Sequence, residues 1–356
     1  MHKVTPQAYV VVDDYRAAQQ LCFDRGLTDG LPIIPPALDL VEETLAQTGR
    51  TPDEQIGVVA GRTRGVSVEQ AAVSAVMAGC LAEYFPVVLA TWEAIFDPAF
   101  NAGAVLGSSG STAITAVVSG PYADAIGMNA GHNLFGPGNR ANATIGRAVR
   151  LGVRNALGYF PGGLDGSAFG NQARYTAHFA ESTPPAPWLP LRQRLGFDEA
   201  ATTVTVAVTD APRQMTHIRS GSAENILRML ASAMRDPSHC AAGRESTYLL
   251  VIGPEHSAIL HEAGLSQQEI CDALTERSRM SPEELSLGGV PLTSERAILG
   301  DERKPPLGRD GRWPSTSPDK VILVTAGGTG AGWSHIIYGY APSYVTAAVT
   351  REVVLP

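Results

Sequence analysis

Charged residues are scarce in this chain, and lysine is almost missing. Only 17% of the 356 residues are charged, and the 27 basic residues include just three lysines, Lys3, Lys304 and Lys320. A Schiff-base mechanism of the kind that PLP enzymes use therefore has almost no candidate, and we expect a cofactor-independent protein. The net charge of -8 disfavours nonspecific binding to nucleic acid or to an anionic membrane.

Cysteine is also sparse, and long apolar runs are missing. Cys22, Cys80, Cys240 and Cys271 lie too far apart for a zinc knuckle or a CxxC redox pair. No run approaches membrane-spanning length, and the first residues lack the charged-then-apolar pattern of a signal peptide. We therefore expect a cytoplasmic protein with reduced thiols, no membrane contact and no bound metal.

Short apolar runs that alternate with helical patterns are what the chain does contain. Strands are predicted over 55–60, 84–90, 114–120, 202–208, 246–253 and 320–328, with helices over 67–79 and 222–235 among those between them. Alternation of this kind favours an α/β fold with mainly parallel sheets. The hydrophobic content of 44% fits a large core or an oligomeric enzyme, and we expect a homo-oligomer.

The two halves of the chain show a similar order of predicted elements. The proline-rich junction 182–191 separates them, which predicts two similar α/β lobes, 1–190 and 191–356, and a possible internal duplication. Coincidence between generic strand–helix–strand units is the alternative. A ligand is expected in a cleft between the lobes, where carboxyl ends of strands meet. The polar segment 281–319 is expected to be a flexible loop or an active-site cover.

The segment 127–158 has no Asp or Glu, although the chain as a whole is acidic. It is predicted to form a glycine-rich turn that leads into a helix beginning near Asn139. Backbone N–H groups at such a helix start favour an anion. Asn129, Asn139, Arg140 and Asn142 are therefore candidate substrate-binding residues. His132 is either a general acid or base, or a loop histidine that binds backbone carbonyls.

Further along the same helix, Arg147, Arg150 and Arg154 fall on one face. Their partners are solvent, acids from elsewhere in the chain, or another subunit. We expect mainly a structural or oligomer-interface role for these three.

Other candidates lie at predicted loops. Cys80 is either a nucleophile beside Glu83 or a buried inert thiol, and Asp29 is either a turn former or a site carboxylate. Glu181 and His256 are candidate acid–base groups. Backbone and hydroxyl donors that would contact a substrate are predicted at Ser108, Ser109, Gly327 and Gly328.

Four motifs of the chain together resemble a family of uncharacterised bacterial proteins associated with UGSC-motif, selenocysteine-type proteins. The motifs are DGLPIIPP (29–36), MAGCLAEYFPVVLA (77–90), GPGNRANATIGRA (136–148) and PGGLDGSAFGNQARYTAHFAES (161–182). The resemblance covers most of the first half and implies no particular reaction. The chain has no UGSC motif, so selenocysteine-like chemistry does not follow.

Together these features predict a lyase, hydratase or hydrolase that acts by acid–base or cysteine chemistry on a small anionic substrate in the cleft. One alternative is a non-catalytic binding subunit that docks an acidic partner or a small ligand through its arginine face. Another is a metal-dependent hydrolase.

Overall fold

The computed structural model describes residues 10–12, 14–217, 221–239, 246–287, 311–313, 315–340 and 346–356. The predicted loop or cover over 281–319 lies mostly outside them. No helix in the described part is long and apolar enough to cross a membrane. Its helices are α1 (Tyr15–Asp24), α2 (Leu38–Leu45), α3 (Val68–Ala78), α4 (Phe85–Ile95), α5 (Ala102–Val105), α6 (Pro121–Ala125), α7 (Arg140–Asn155), α8 (Leu191–Arg194), α9 (Ala223–Met234), α10 (Pro254–Glu262), α11 (Gln267–Arg277) and α12 (Pro282–Leu287).

The strands form two four-stranded sheets and one small ribbon. They are β1 (Gln55–Val58), β2 (Gly65–Ser67), β3 (Ala113–Ser119), β4 (His178–Ala180), β5 (Thr203–Thr209), β6 (Arg213–Thr216), β7 (Tyr248–Ile252), β8 (Val321–Thr325), β9 (Trp333–Tyr338) and β10 (Val349–Glu352). The first sheet has the order β10-β5-β3-β4, and the second has the order β6-β9-β7-β8. Strands β1 and β2 pair separately.

The α/β class is confirmed, but the expectation of mainly parallel sheets is wrong. In the described residues only β3 with β4 and β7 with β8 are parallel, and the other pairs of both sheets are antiparallel. Each parallel pair is joined through helices, as a parallel crossover requires. The short connection from β8 to β9 instead lets β9 return antiparallel to β7.

Both sheets share one pattern of strand directions. A central strand, β3 or β7, has a parallel neighbour on one side and an antiparallel neighbour, β5 or β9, on the other. An outer strand then pairs antiparallel with β5 or β9. In the sequence, the outer strand of each sheet comes directly after a strand of the other sheet. Strand β6 of the second sheet follows β5 of the first, and β10 of the first sheet follows β9 of the second. Sheet membership therefore crosses residue 190, and the proposed lobe boundary and duplication stay predictions.

The sheets are buried on both faces, which gives four layers. One face of the first sheet packs its valines and alanines against α3, α4 and α7. One face of the second sheet packs against α9, α10 and α11. The remaining two faces meet in a third apolar cluster, which joins Val117 and Phe179 of the first sheet to Leu249, Val251 and Val324 of the second.

Residue alternation in β5 shows how one sequence serves two buried faces. Val204, Val206 and Val208 belong to the core that contains α4. Thr203, Thr205, Ala207 and Thr209 alternate with these valines and point to the opposite face. There the hydroxyls of Thr115 and Thr209 lie 2.7 Å apart in a hydrogen bond, which satisfies both buried oxygens.

The predicted strand over 84–90 is wrong, because this segment is helical. A short 3₁₀ turn leads directly into α4, and every residue of α4 except Glu93 is buried. Periodicity cannot separate a buried strand from a buried helix when every position is apolar. Pro86 in the first turn is the local signal for a helix start. The similar order of elements that the sequence predicts for the two halves does not hold at this segment, because the segment is a helix and not a strand.

The predicted helix over 67–79 is confirmed, and so is the predicted helix that begins near Asn139. Ser67 and Gln70 form a capping box at the start of α3, and Gly79 ends that helix with φ of 91°. Asn139 caps α7, since its side chain accepts a hydrogen bond from the amide of Asn142.

Helix α7 packs closely on α4 because Gly152 has no side chain. A Cβ at this position would lie 2.5 Å from the fully buried indole of Trp92. We expect Gly152→Ala to lower the free energy of unfolding by about 1 to 2 kcal/mol, because overpacking outweighs the gain in helix propensity. Urea denaturation measures this change. Gly49→Ala, which meets no atom within 4 Å, is the control, and an equal effect in both variants would contradict the packing argument.

Candidate active site

Two neighbouring cavities lie between the sheets, on either side of the segment 134–136. The first, here called the loop cavity, has a volume of about 420 Å³ and is lined by Gln214, Val251, Gly253 and the segments 132–136, 326–330 and 333–335. The second, the His178 cavity, has a volume of about 440 Å³ and is lined by Asn142, Ala143, His335 and the segments 134–137, 172–173, 176–178 and 211–212. Among the described residues, neither lining includes an Asp, Glu, Lys or Arg.

The loop cavity lies at the carboxyl ends of the parallel strands β7 and β8, where α/β sheets commonly bind ligands. Helix α10 begins beside it, and no side chain caps the first turn of that helix. The glycine-rich loop after β8 is held in place at two points. The amide of Gly327 donates to the carbonyl of Ala130 at 2.8 Å, and the amide of Gly330 donates to Glu255 Oε1 at 2.6 Å.

His132 lies directly over this glycine-rich loop. A Cβ added at Gly328 would overlap the His132 ring, so a glycine is needed for the imidazole to approach the backbone so closely. The loop that carries His132 is held by Asn129, whose side-chain amide nitrogen donates to the carbonyl of His132 at 2.9 Å. The structure therefore brings together four of the predicted site residues, Asn129, His132, Gly327 and Gly328.

His335 lies on the wall that the two cavities share, and the sequence did not single it out. It stands opposite Gln214 on β6 and Val251 on β7 in the strand register. Its ring contacts Phe135 edge to face, with centroids 5.1 Å apart. Burial lowers the pKa of His335, so the neutral imidazole is the form present near neutral pH. Side chains alternate between the two faces of β9, which places His335 on the face between the sheets. This alternation is visible in the sequence.

His256 is fully buried behind the loop cavity. Its Nδ1 lies 2.8 Å from the hydroxyl of Ser334, and that hydroxyl also accepts a 3.3 Å hydrogen bond from the amide of Gly253. Burial lowers the pKa of His256, and the backbone of His217 partly opposes this effect. The predicted acid–base residue thus contacts the cavity wall through Ser334.

His178 lies at the other end, in the His178 cavity. It is 3% exposed, and neither ring nitrogen has a hydrogen-bond partner among the described residues. Gly146 of α7 leaves room for it, since a Cβ there would lie 2.7 Å from His178 Nδ1. Burial lowers the pKa of His178 to about 3, so the ring is neutral at physiological pH.

The side chains of Asn139, Arg140 and Asn142 all make hydrogen bonds within the fold, and their role in substrate binding stays a prediction. Asn139 caps α7 and donates to the carbonyl of Gly127 at 2.8 Å. Asn142 makes two hydrogen bonds to the backbone of Asn129, at 2.9 and 3.0 Å. Arg140 donates to the carbonyl of Gly79 at 2.9 Å. Such partners are distant in sequence, so composition alone could not reveal them.

Glu181 is buried between the sheets, outside the linings of both cavities. It accepts hydrogen bonds from the hydroxyl of Ser119 at 2.5 Å and from the amide of Leu191 at 2.8 Å. Burial raises the pKa of Glu181, and these two donors and the nearby Arg194 act against that rise. In this position it joins the two halves of the chain through β3 and α8.

Cys80 and Glu83 lie elsewhere, near the junction of α3 and α7. Burial raises the pKa of the Cys80 thiol to about 12, although Thr144 and Arg140 act in the opposite direction. The thiolate is therefore almost absent at neutral pH, which favours the inert-thiol alternative. The hydroxyl of Tyr122 donates to the carbonyl of Glu83 at 2.8 Å.

Asp29, Ser108 and Ser109 also lie away from the two inter-sheet cavities. Asp29 forms a two-point ion pair with Arg147, with both N–O distances at 2.8 Å. The hydroxyl of Ser108 lies 2.6 Å from that of Tyr340, and the carbonyl of Ser109 accepts from the amide of Ala168.

The arginine face of α7 finds partners within the chain. Arg147 pairs with Asp29, and Arg150 pairs with Asp165 at 2.7 Å. Arg154 donates to the carbonyl of Gly26 at 3.1 Å. Acids from elsewhere in the chain, one of the open alternatives, therefore serve two of the three arginines. An oligomer interface on this face stays a prediction. In the described part of the chain, no group of three His, Cys, Asp or Glu side chains is placed to hold a metal ion.

His178 should make the stability of the protein depend on acid. Its folded pKa of about 3 lies below the ordinary histidine pKa of 6.5, so below pH 6.5 the unfolded chain takes up a proton that the folded chain does not. The stabilisation is complete above pH 6.5 and falls as the pH drops towards 3, by about 1.4 kcal/mol per pH unit.

We therefore expect His178→Gln to reduce the pH dependence of unfolding between pH 6.5 and 4.5 by about that slope. Urea titrations at several pH values measure it, with His261→Gln as the control for a histidine outside both cavities. If the free energies of unfolding of the wild type and His178→Gln changed equally with pH, the result would show that the His178 ring is protonated in the folded state.

Comparison with known protein families finds no family model that matches the chain, and no curated protein matches it. Its function is therefore inferred from the geometry of the site.

Proposed function

We propose that the protein is a cofactor-independent enzyme that moves a proton on a small anionic substrate, in the manner of a lyase or hydratase. The observation that supports this best is the placement of His132 over Gly328, in a cavity at the carboxyl ends of β7 and β8. An imidazole beside exposed backbone amides combines a proton-transfer group with donors for an anion.

In this proposal the anion binds where peptide dipoles converge. Gly328 and Thr329 of the glycine-rich loop line the loop cavity, and helix α10 begins directly after Gly253 of the same lining. Backbone N–H groups at such places favour negative charge, and among the described residues the lining has no lysine or arginine. A carboxylate is the simplest substrate group that these donors fit.

The two histidines of the loop cavity take complementary roles in the proposal. His132 is exposed at the cavity mouth and exchanges protons with the substrate and with solvent. His335 is half-buried, and its lowered pKa keeps it neutral, so it accepts or donates a hydrogen bond within the cavity. Gln214, beside it in the strand register, orients the substrate by a neutral hydrogen bond.

Exchange of substrate C–H protons with D₂O tests the proton transfer without knowledge of the full reaction. Purified protein is incubated with a panel of small hydroxy-, unsaturated and dicarboxylates, and loss of proton signals is followed by NMR. For a substrate that exchanges, we expect His132→Asn to slow the exchange by about 10²- to 10⁴-fold, because a positioned general base is removed.

Gly328→Ala provides an independent test, because its Cβ displaces the His132 ring without changing any titratable group. We expect slower exchange, with little loss of stability. His261→Asn, which alters a histidine packed on Trp188 outside the cavity, is the matched control. Exchange that survives both His132→Asn and Gly328→Ala would exclude the proposed role of His132.

A second candidate, a serine hydrolase, is favoured by one contact. The Ser334 hydroxyl lies 2.8 Å from His256 Nδ1, which is the distance between a nucleophile and its base. Against it, Ser334 is 2% exposed, and its oxygen already accepts from the amide of Gly253.

A fluorophosphonate probe distinguishes the two candidates. Under the leading proposal we expect no labelling of Ser334, and we expect Ser334→Ala to keep the exchange rate of the wild type within a few-fold. Mass spectrometry of the treated protein measures the first outcome, and NMR measures the second. Covalent labelling at Ser334 that is lost in Ser334→Ala would favour the hydrolase instead.

A further inference from the structure

A third cavity, here called the arginine cavity, lies beside the His178 cavity. Its volume is about 670 Å³, and it is lined by Asp29, Arg150, Arg154, Pro161, Asp165, Ser167, Arg174, Tyr175, Ala211 and the segment 169–172. It shares Gln172 and Ala211 with the His178 cavity. The acid–base proposal assigns no role to it.

The acids of this cavity are already used within the fold. Asp165 Oδ2 accepts from Arg150 at 2.7 Å and from Arg174 at 2.8 Å, while its Oδ1 accepts from the hydroxyl of Ser167 at 2.7 Å. Burial raises the pKa of Asp165, but these donors outweigh it, so the pKa lies below its usual range and the carboxylate stays charged.

The arginines outnumber the acids. Three arginines line the cavity, Arg150, Arg154 and Arg174, and a fourth, Arg147, pairs with Asp29 from outside the lining. These four positive charges face only the two carboxylates of Asp29 and Asp165. Two positive charges therefore remain uncompensated. Within the described residues Arg154 has no carboxylate partner, and Arg150 donates only through Nη2, which leaves its other donors open to the cavity.

The cavity also has an aromatic side. Phe169 is 97% exposed and Tyr175 is 47% exposed, although both belong to the cavity lining. Arg154 stacks on the ring of Phe160 at 4.9 Å, which holds its guanidinium in a fixed orientation. An exposed phenyl ring beside uncompensated guanidinium groups suits a ligand that is both flat and anionic.

We propose that the arginine cavity binds a small organic dianion attached to a planar ring, with the anion on Arg150 and Arg154 and the ring on Phe169. A phosphate monoester and an aromatic dicarboxylate both have this chemistry. Among the described residues, the arginine cavity and the loop cavity have no lining residue in common. A small molecule held by the arginines is therefore distinct from the substrate at His132.

Calorimetric titration of the full-length protein tests the site with defined probes. Phenyl phosphate and phthalate each combine a dianion with a ring, and inorganic phosphate lacks the ring. We expect phenyl phosphate or phthalate to bind at least 10-fold more tightly than inorganic phosphate. The tighter of the two identifies the anion as phosphate or dicarboxylate.

Two substitutions allow the contact with the anion and the contact with the ring to be separated. We expect Arg154→Gln to weaken binding of the tighter ring-bearing probe and of inorganic phosphate by about 10-fold or more, because a charge-assisted contact is lost. Phe169→Ala should weaken only the ring-bearing probe. Arg228→Gln, which removes an exposed arginine of α9, is the matched control. Proton exchange on the His132 substrate should persist in all three variants, so failure here is distinguishable from failure of the proposed function.

Three results would overturn the proposal. One is that no probe binds at millimolar concentration. Another is that binding is unchanged in both Arg154→Gln and Phe169→Ala. The third is that Phe169→Ala changes the molecular mass measured by light scattering but leaves the affinities for the ring-bearing probe and for inorganic phosphate unchanged. That result would assign the Phe169 ring to contact with a second copy of the chain.

Discussion

Burial of both faces of each sheet is the constraint on which the rest of the structure depends. The central strands β3, β5 and β7 are buried almost throughout, so in the described residues they have no solvated side on which polar residues could alternate with apolar ones. Polar groups that remain there need partners, and the pairs Thr115–Thr209 and Ser119–Glu181 provide them. The loop cavity and the His178 cavity lie where the loop 132–137 enters between the sheets. The candidate site therefore lies where this packing is interrupted.

The exchange of outer strands explains why the chain is difficult to divide. Strand β10 completes the first sheet, and β6 completes the second, although each follows the opposite sheet in sequence. Without β10 the first sheet would expose the edge of β5, and without β6 the second sheet would expose the edge of β9. The two sheets share one pattern of strand directions. It pairs β3 with β7 and β4 with β8, rather than the elements that resemble one another in the sequence.

Local signals predicted the parts of the structure that depend on neighbouring residues. The start of α7 at Asn139 and the capping box at Ser67 follow from side chains three residues apart, and the sequence showed both. The helical state of 85–95 does not follow from its uniform apolar pattern. The partners of site residues were harder still, because Arg147 meets Asp29 across more than a hundred residues. For the same reason the sequence suggested a ligand for side chains that the fold itself uses.

The distribution of charge gives the cavities different chemistry. The loop and His178 cavities contain histidines and peptide groups but no formal charge in the described residues, and burial keeps His178 and His335 neutral. A neutral imidazole can accept a proton, whereas a nearby guanidinium would lower its basicity. The arginine cavity concentrates positive charge at the far end of α7, where Arg150 and Arg154 face no histidine in its lining. Under the two proposals, this separation keeps the guanidinium charges of the anion site away from the imidazoles that proton transfer requires.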